Sequence, residues 1–193
     1  MRLFIAIPLS GVARRRLAGL CEGLRVGRWI DPANFHITLK FLGEVDRHQA
    51  QDLDAALEGI RAPAFDIAFD GLGTFERKGK VHTLWVGVEK TAEIKRLRDK
   101  VERACQQVGF APEGGRYTPH ISLARFKVPP PPGDIGAWLE RTEPFSAGPY
   151  PVDRFTLFQS HLNREGAVYD ALVDYELIGA DFAVIAAGDD ERE

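Results

Sequence analysis

The chain has 193 residues, 45% of them hydrophobic and 27% charged, with a formal net charge of -3. This balance excludes a disordered or fibrous protein and leaves room for one unit with a proper core or two small lobes packed together. It also argues against a protein that coats long nucleic acid, which needs a broad phosphate-neutralising surface, while a local basic patch for one terminal phosphate stays open.

Residues 2 to 8 run apolar to Pro8 and predict a first strand. The run is too short for a signal-peptide core, and Arg14-Arg15-Arg16 follows it rather than preceding it. Ser10 is placed to cap a helix carrying Val12, Leu17, Leu20 and Leu24. A strand over 35 to 42 ends at Gly43, and Asp46 with Gln49 three residues on resembles a capping box for a helix with Leu53, Leu57 and Ile60 on one face. Strands near 64 to 70 and 82 to 88 follow, joined by a turn-rich segment holding Gly71, Gly73 and Gly79. The helix over 91 to 108 repeats Ile94, Leu97, Val101, Cys105 and Val108 at three- and four-residue steps and stops at Gly109. A strand over 117 to 126, a break at Pro129 to Pro132, a short helical turn near Trp138 and strands near 153 to 160 and 168 to 178 complete the expected order. Residues 1 to 180 are read as one domain and 181 to 193 as an acidic, flexible tail.

Two of these strands carry the same grammar. Phe35-His36-Ile37-Thr38-Leu39 and Pro119-His120-Ile121-Ser122-Leu123 each set a histidine two residues before a hydroxyl, 84 residues apart. Alternate side chains of a strand share a face, so His36 emerges with Thr38 and His120 with Ser122, while the intervening Ile and Leu residues pack inward. With strands and a helix interleaved in each half, the expectation is an α+β fold: two pseudo-symmetric lobes of antiparallel sheet with outer helices around a central groove. Each lobe then presents one dyad.

Two histidines can hold opposite protonation states near neutral pH, one as base and one as acid. That suits in-line phosphodiester displacement, in which the nucleophile enters on one side of phosphorus and the leaving oxygen departs on the other. Thr38 and Ser122 can donate hydrogen bonds to non-bridging oxygens, and Arg125 can add a charge-assisted contact. Strict alternation points Arg125 away from His120, so its role requires a bulge or the end of the strand near Ala124.

On these residues the chain resembles the two-histidine phosphoesterase superfamily, with its paired His-x-Thr/Ser motifs, and within it the RNA 2′,3′-cyclic phosphodiesterase family, also called 2′-5′ RNA ligase. The likeness extends to Arg2-Leu3-Phe4-Ile5-Ala6, Trp29, Leu84-Trp85-Val86-Gly87-Val88, Phe158-Gln159-Ser160 and Tyr169. It implies that His36 and His120 are the catalytic pair and that Thr38, Ser122 and Arg125 bind phosphate. It implies further that cyclic phosphate ends are hydrolysed to 2′-phosphomonoesters, with 2′-5′ ligation in reverse and without metal or other cofactor. By analogy His36 is the general acid on the leaving 3′ oxygen and His120 the base toward water.

Other readings stay open. His36, His82, His120 and His161 can be read as metal ligands, although no compact ligand spacing supports this. A module that only holds RNA ends, or an enzyme for a small cyclic nucleotide or ADP-ribose cyclic phosphate, fits the same dyads. The loops around Gly71 to Lys80 and Gly114 to Arg116 would decide between substrates. His48, His82 and His161 are read as structural or surface residues. Phe4, Trp29, Phe75 and Trp85 can stack on a nucleobase, with core or rim packing the favoured role. Arg14 to Arg16 and Lys95 to Lys100 can guide RNA phosphates, with a solvated helix face favoured. Lys40 either shares the face of His36 or is solvated at the strand end. Partners are expected to be RNA ends or small cyclic-phosphate nucleotides, with no membrane and no obligate protein partner, for a monomer. Two cysteines, too few and too far apart for a disulfide framework, point to a reducing cytoplasm.

Overall fold

The computed structural model describes residues 1–24, 28–163 and 166–179; the expected tail over 181 to 193 lies outside them. The chain runs β1 (Arg2–Pro8), α1 (Gly11–Ala18), β2 (Arg28–Trp29), a 3-10 turn (Pro32–Asn34), β3 (His36–Glu44), α2 (Arg47–Glu58), β4 (Phe65–Arg77) and β5 (Lys80–Val88). It continues through α3 (Ala92–Gln107), β6 (His120–Arg125), α4 (Pro132–Thr142), β7 (Ser146–Val152), β8 (Arg154–Asn163) and β9 (Gly166–Glu176). Two antiparallel sheets result, one in the order β3-β1-β8-β9 and one in the order β2-β6-β5-β4-β7.

The helix boundaries follow from their caps. Ser10 accepts from the Ala13 amide, Asp46 from Gln49 and Thr91 from Ile94, each satisfying an amide that the first helical turn leaves open. At the far end of α3, Gly109 takes a positive φ of 89°. Its amide reaches Gln106 O at 3.1 Å and that of Phe110 reaches Cys105 O at 3.0 Å, the paired bonds of a Schellman stop.

Several expectations change. Gly71 and Gly73 do not form a connecting loop, because β4 runs on to Arg77 and turns at Lys78-Gly79, both with positive φ, as a two-residue hairpin requires. Gly71, φ 71°, sits in an irregularity of the β4–β5 register. Gly73 leaves room for Trp85, whose ring would lie 2.3 Å from an added Cβ. Val12 is exposed and Ala13 takes the buried position on α1. The turn at Trp138 is a full helix of 11 residues that starts at Pro132, where a missing N–H costs nothing. Strands β2 and β7 were not foreseen: one is two residues long, and the other carries Gly148, Pro149 and Pro151, which mask strand grammar.

One hydrophobic core joins the lobes. Ile5 and Ile7 of β1, Ile37 and Leu39 of β3, Leu84 and Val86 of β5, and Ile121 and Leu123 of β6 belong to a single buried cluster with Leu53, Leu57, Leu97 and Val101 from α2 and α3. Helices thus cover the outer faces, and the other faces of β3 and β6 line a groove. Among the described residues no helix is long and apolar enough to cross a membrane.

Candidate active site

The two dyad strands show one burial rhythm. From His36 to Lys40 and from His120 to Ala124 the order is half-buried, buried, half-buried, buried, buried. The repeated buried pair at the end has a cause in the register. Ile5 pairs with Lys40 and Ala6 with Thr38, so Leu39 is an extra residue; Leu84 pairs with Ala124 and Trp85 with Ser122, so Leu123 is extra. A bulge shifts the side-chain phase by one residue. On β6 it returns Arg125 to the face of His120 and Ser122, the first of the two ways its proposed role allowed. On β3 it turns Lys40 inward and brings Phe41 to the groove.

His36, Thr38, His120, Ser122 and Arg125 all line one cavity of about 270 Å³. Each imidazole is fixed the same way. His36 Nδ1 lies 2.7 Å from the carbonyl of Asn34 and His120 Nδ1 lies 2.8 Å from that of Thr118. A carbonyl only accepts, so Nδ1 carries the hydrogen and donates it, leaving Nε2 as the nitrogen free for chemistry. An aromatic edge meets each ring: Tyr169 against His36 at 5.2 Å and 88°, Phe75 against His120 at 4.7 Å and 85°. Ring orientation is therefore set by a hydrogen bond and by packing.

Desolvation lowers both imidazoles. His36 falls to about 4, driven by burial and then by the charges of Arg125 and His120, against the opposing pull of the Asn34 carbonyl. Burial and Arg125 also hold His120 below its ordinary range, against the Thr118 carbonyl. In the free protein both rings are neutral near pH 7 and can accept a proton. An anionic phosphate raises both, because it favours the charged form.

Lys40 corrects both of its sequence readings. It neither faces the cavity nor meets solvent: only 3% exposed, it holds Glu102 at 3.0 and 2.9 Å and the Ala111 carbonyl at 3.0 Å. Desolvation pushes the Glu102 carboxyl up, but hydrogen bonds from Gln106, Lys40 and the Glu113 amide outweigh it and leave the group below its usual range. Arg98 lies 3.8 Å from Glu102 and 5.5 Å over the ring of Tyr117, whose hydroxyl donates to Thr38 O at 3.0 Å. This network ties β3 to α3 and to the segment that leads into β6, so it sets one histidine strand against the other. Nothing in the residue order signalled a pair 62 positions apart.

Among the aromatics, Phe4 is buried and Trp29 packs 6.1 Å from Trp138, as expected of packing residues. Phe75 takes a rim position: it is 39% exposed and lines the cavity. Phe41, Tyr169, Asn34 and Thr83 also line it without having been singled out as cavity residues. Neither His82 nor His161 reaches this cavity, and His161 instead meets Asp170 at 3.0 Å. Among the described residues no cluster of three or more His, Cys, Asp or Glu side chains is arranged to hold a metal ion.

Two sheets that each offer a tethered imidazole and a hydroxyl to a shared cleft, with one arginine beside them, form the arrangement of the two-histidine phosphoesterase class. The family model described as the 2'-5' RNA ligase superfamily matches residues 27–164, and the chain belongs to that superfamily. An RNA 2',3'-cyclic phosphodiesterase of Aeropyrum pernix is 37% identical over 146 residues, 75% of this chain and 83% of the relative. One of Thermotoga maritima is 30% identical over 187 residues, 93% of this chain and 97% of the relative. The crystal structure of E. coli LigT complexed with 3'-AMP superposes with a TM-score of 0.73 at 27% identity, covering 92% of this chain and 98% of that one.

Proposed function

We propose that this protein hydrolyses RNA 2′,3′-cyclic phosphate ends to 2′-phosphomonoesters, with His36 and His120 as the acid–base pair and Thr38, Ser122 and Arg125 on the phosphate. The observation that carries the reading is the convergence of two imidazoles, each tethered through Nδ1, on one cavity with an arginine brought there by a bulge. Relatives named RNA 2',3'-cyclic phosphodiesterase support the choice of substrate.

In the forward step one Nε2 takes a proton from water as its oxygen bonds to phosphorus. The P–O3′ bond breaks, the other Nε2–H protonates O3′, and the phosphate stays on O2′. Arg125 and the two hydroxyls meet the charge that grows on the non-bridging oxygens. The approaching anion supplies the field that lets one of the lowered imidazoles keep a proton, and the ring on the ribose side is then the acid. His36 is assigned that place and His120 the water side. With a 5′-hydroxyl in place of water as the nucleophile, the same displacement on the cyclic phosphate forms a 2′-5′ linkage as P–O3′ breaks and O3′ takes the proton. The setting is the cytoplasm, in keeping with the free thiols of Cys21 and Cys105, which burial pushes up to about 11 and about 12.

The test is turnover of an oligoribonucleotide with a 2′,3′-cyclic phosphate end in excess chelator. The expected result is a 2′-phosphate product, lost in His36→Ala and in His120→Ala. A 3′-phosphate product overturns the assignment of the leaving oxygen, and activity abolished by chelation overturns the metal-free mechanism.

A further inference from the structure

A second cavity, of about 170 Å³, adjoins the first and shares Asn34, His36 and Tyr169 with it. It is lined from the strands of the β3-β1-β8-β9 sheet, and of the two histidines only His36 reaches it. Its lining combines arginine and aromatic surface. Phe158 and Tyr169, which both pack around His36 and Phe4, form its apolar wall. Arg14 and Arg154 are its cations.

The charges in this cavity are not equivalent. Asp174 accepts from the Thr156 hydroxyl at 2.5 Å and lies 3.4 Å from Arg154 Nε, and Arg154 also meets Asp153 at 3.0 Å. Asp174 and Arg154 therefore offset one another's charge, although Arg154 Nε is left without a hydrogen bond. Arg14 is different: it is half-buried where Arg15 and Arg16 are exposed, and among the described residues no carboxylate lies within ion-pair distance of it. Among the described residues its guanidinium thus has no paired carboxylate, and it lines the same cavity as Phe158, Tyr169 and His36. A planar cation for a phosphate and π-faces for a base are the two elements of single-stranded nucleic-acid binding.

We propose that this cavity is a subsite for the part of an RNA strand upstream of its cyclic phosphate. Arg14 binds the phosphodiester on the 5′ side of the terminal nucleotide, and the preceding nucleoside lies against Phe158 and Tyr169. The proposal rests on the hydrolytic reading and deepens it, because it makes the substrate a strand end rather than a mononucleotide. It also places the ribose, and hence the leaving 3′ oxygen, on the side of His36, in agreement with His36 as the acid.

The experiment compares kcat/KM for adenosine 2′,3′-cyclic phosphate, for the same compound with a 5′-phosphate, and for a diadenosine ending in a 2′,3′-cyclic phosphate. It uses wild type, Arg14→Gln and Arg14→Lys. A charge-assisted contact predicts a gain of about tenfold from the first substrate to the third in wild type. Arg14→Gln removes that gain and leaves the first substrate unchanged, and Arg14→Lys restores part of it. The 5′-phosphate compound separates phosphate binding from contact with the upstream nucleoside. Equal losses on all three substrates, or no gain in wild type, overturn the subsite. Binding of the diadenosine 2′-phosphate, measured directly, separates the two readings. Arg14-dependent binding without turnover overturns the hydrolytic reading and keeps the subsite, whereas turnover without any Arg14 effect does the reverse.

Discussion

Strands β3 and β6 are two answers to one design. Both present a histidine and a hydroxyl, tie Nδ1 to the carbonyl two residues back, meet an aromatic edge and insert one extra residue after the hydroxyl. They part at the two residues after the bulge. Where β3 has Lys40 and Phe41, β6 has Ala124 and Arg125. The shared features supply two equivalent imidazoles, which alone have no direction. The differing pair gives β6 a cation at the groove and gives β3 an apolar ring there, with its own cation turned inward to brace the scaffold. On the proposed reading the symmetric part supplies the acid–base couple and the asymmetric part orients the substrate.

The largest expected effect comes from removing either imidazole. His36→Ala and His120→Ala should each lower kcat by about 10² to 10⁴. The double variant should fall well short of the product of the two losses, because the residues act as a unit. Single-turnover assays with folded protein check this, and a mild effect at one site would break the equivalence of the strands.

Next is the buried cation that only β3 has. Lys40→Met leaves the Glu102 carboxylate with Arg98, at 3.8 Å, as its remaining counter-charge and should cost about 3 kcal/mol of stability. The double variant Lys40→Met with Glu102→Gln should recover much of that loss. Urea unfolding measures both, and a cost below 1 kcal/mol would show that the network does not brace the lobes.

Arg125 and Phe41, at matching positions, should separate by kinetic parameter. Arg125→Gln should lower kcat by about 10² to 10³, as loss of a transition-state donor does, and Arg125→Lys should restore only part because it lacks the planar fork. Phe41→Ala should act mainly on KM. Equal effects on kcat would mean that the two sides of the groove are not distinguished in this way.

The last prediction concerns stability against pH. His36 has a folded value of about 4 against an ordinary value of 6.5. Between these values the unfolded chain binds more protons than the folded one. The contribution is therefore complete above about pH 6.5 and is lost as the pH falls toward 4. Unfolding midpoints across this window should drop with acid, and His36→Gln should flatten the slope. His120 adds to it in the same direction.

The periodic features were readable along the chain because each is local. The caps at Ser10 and Asp46, the repeat of α3 and the alternation about His36 and His120 depend on residues within a turn or a strand of one another. From those, the α+β class, the paired dyads and the outer helices follow. What escaped was set by neighbours distant in sequence. Gly71 and Gly73 read as a loop until β5 is laid beside β4, because the pairing absorbs one glycine as an irregularity and the other as space for Trp85. Lys40 reads as a surface residue until a bulge turns it toward Glu102, and Arg125 reads as misdirected until the same device turns it toward the groove. Phe41, Phe75 and Tyr169 reach one cavity from three strands in two sheets. The residue order by itself determined which chemical groups are present and which share a strand. Only the tertiary structure decided which face each occupies after a bulge and which charges are compensated, because both depend on register and burial across strands far apart in the chain.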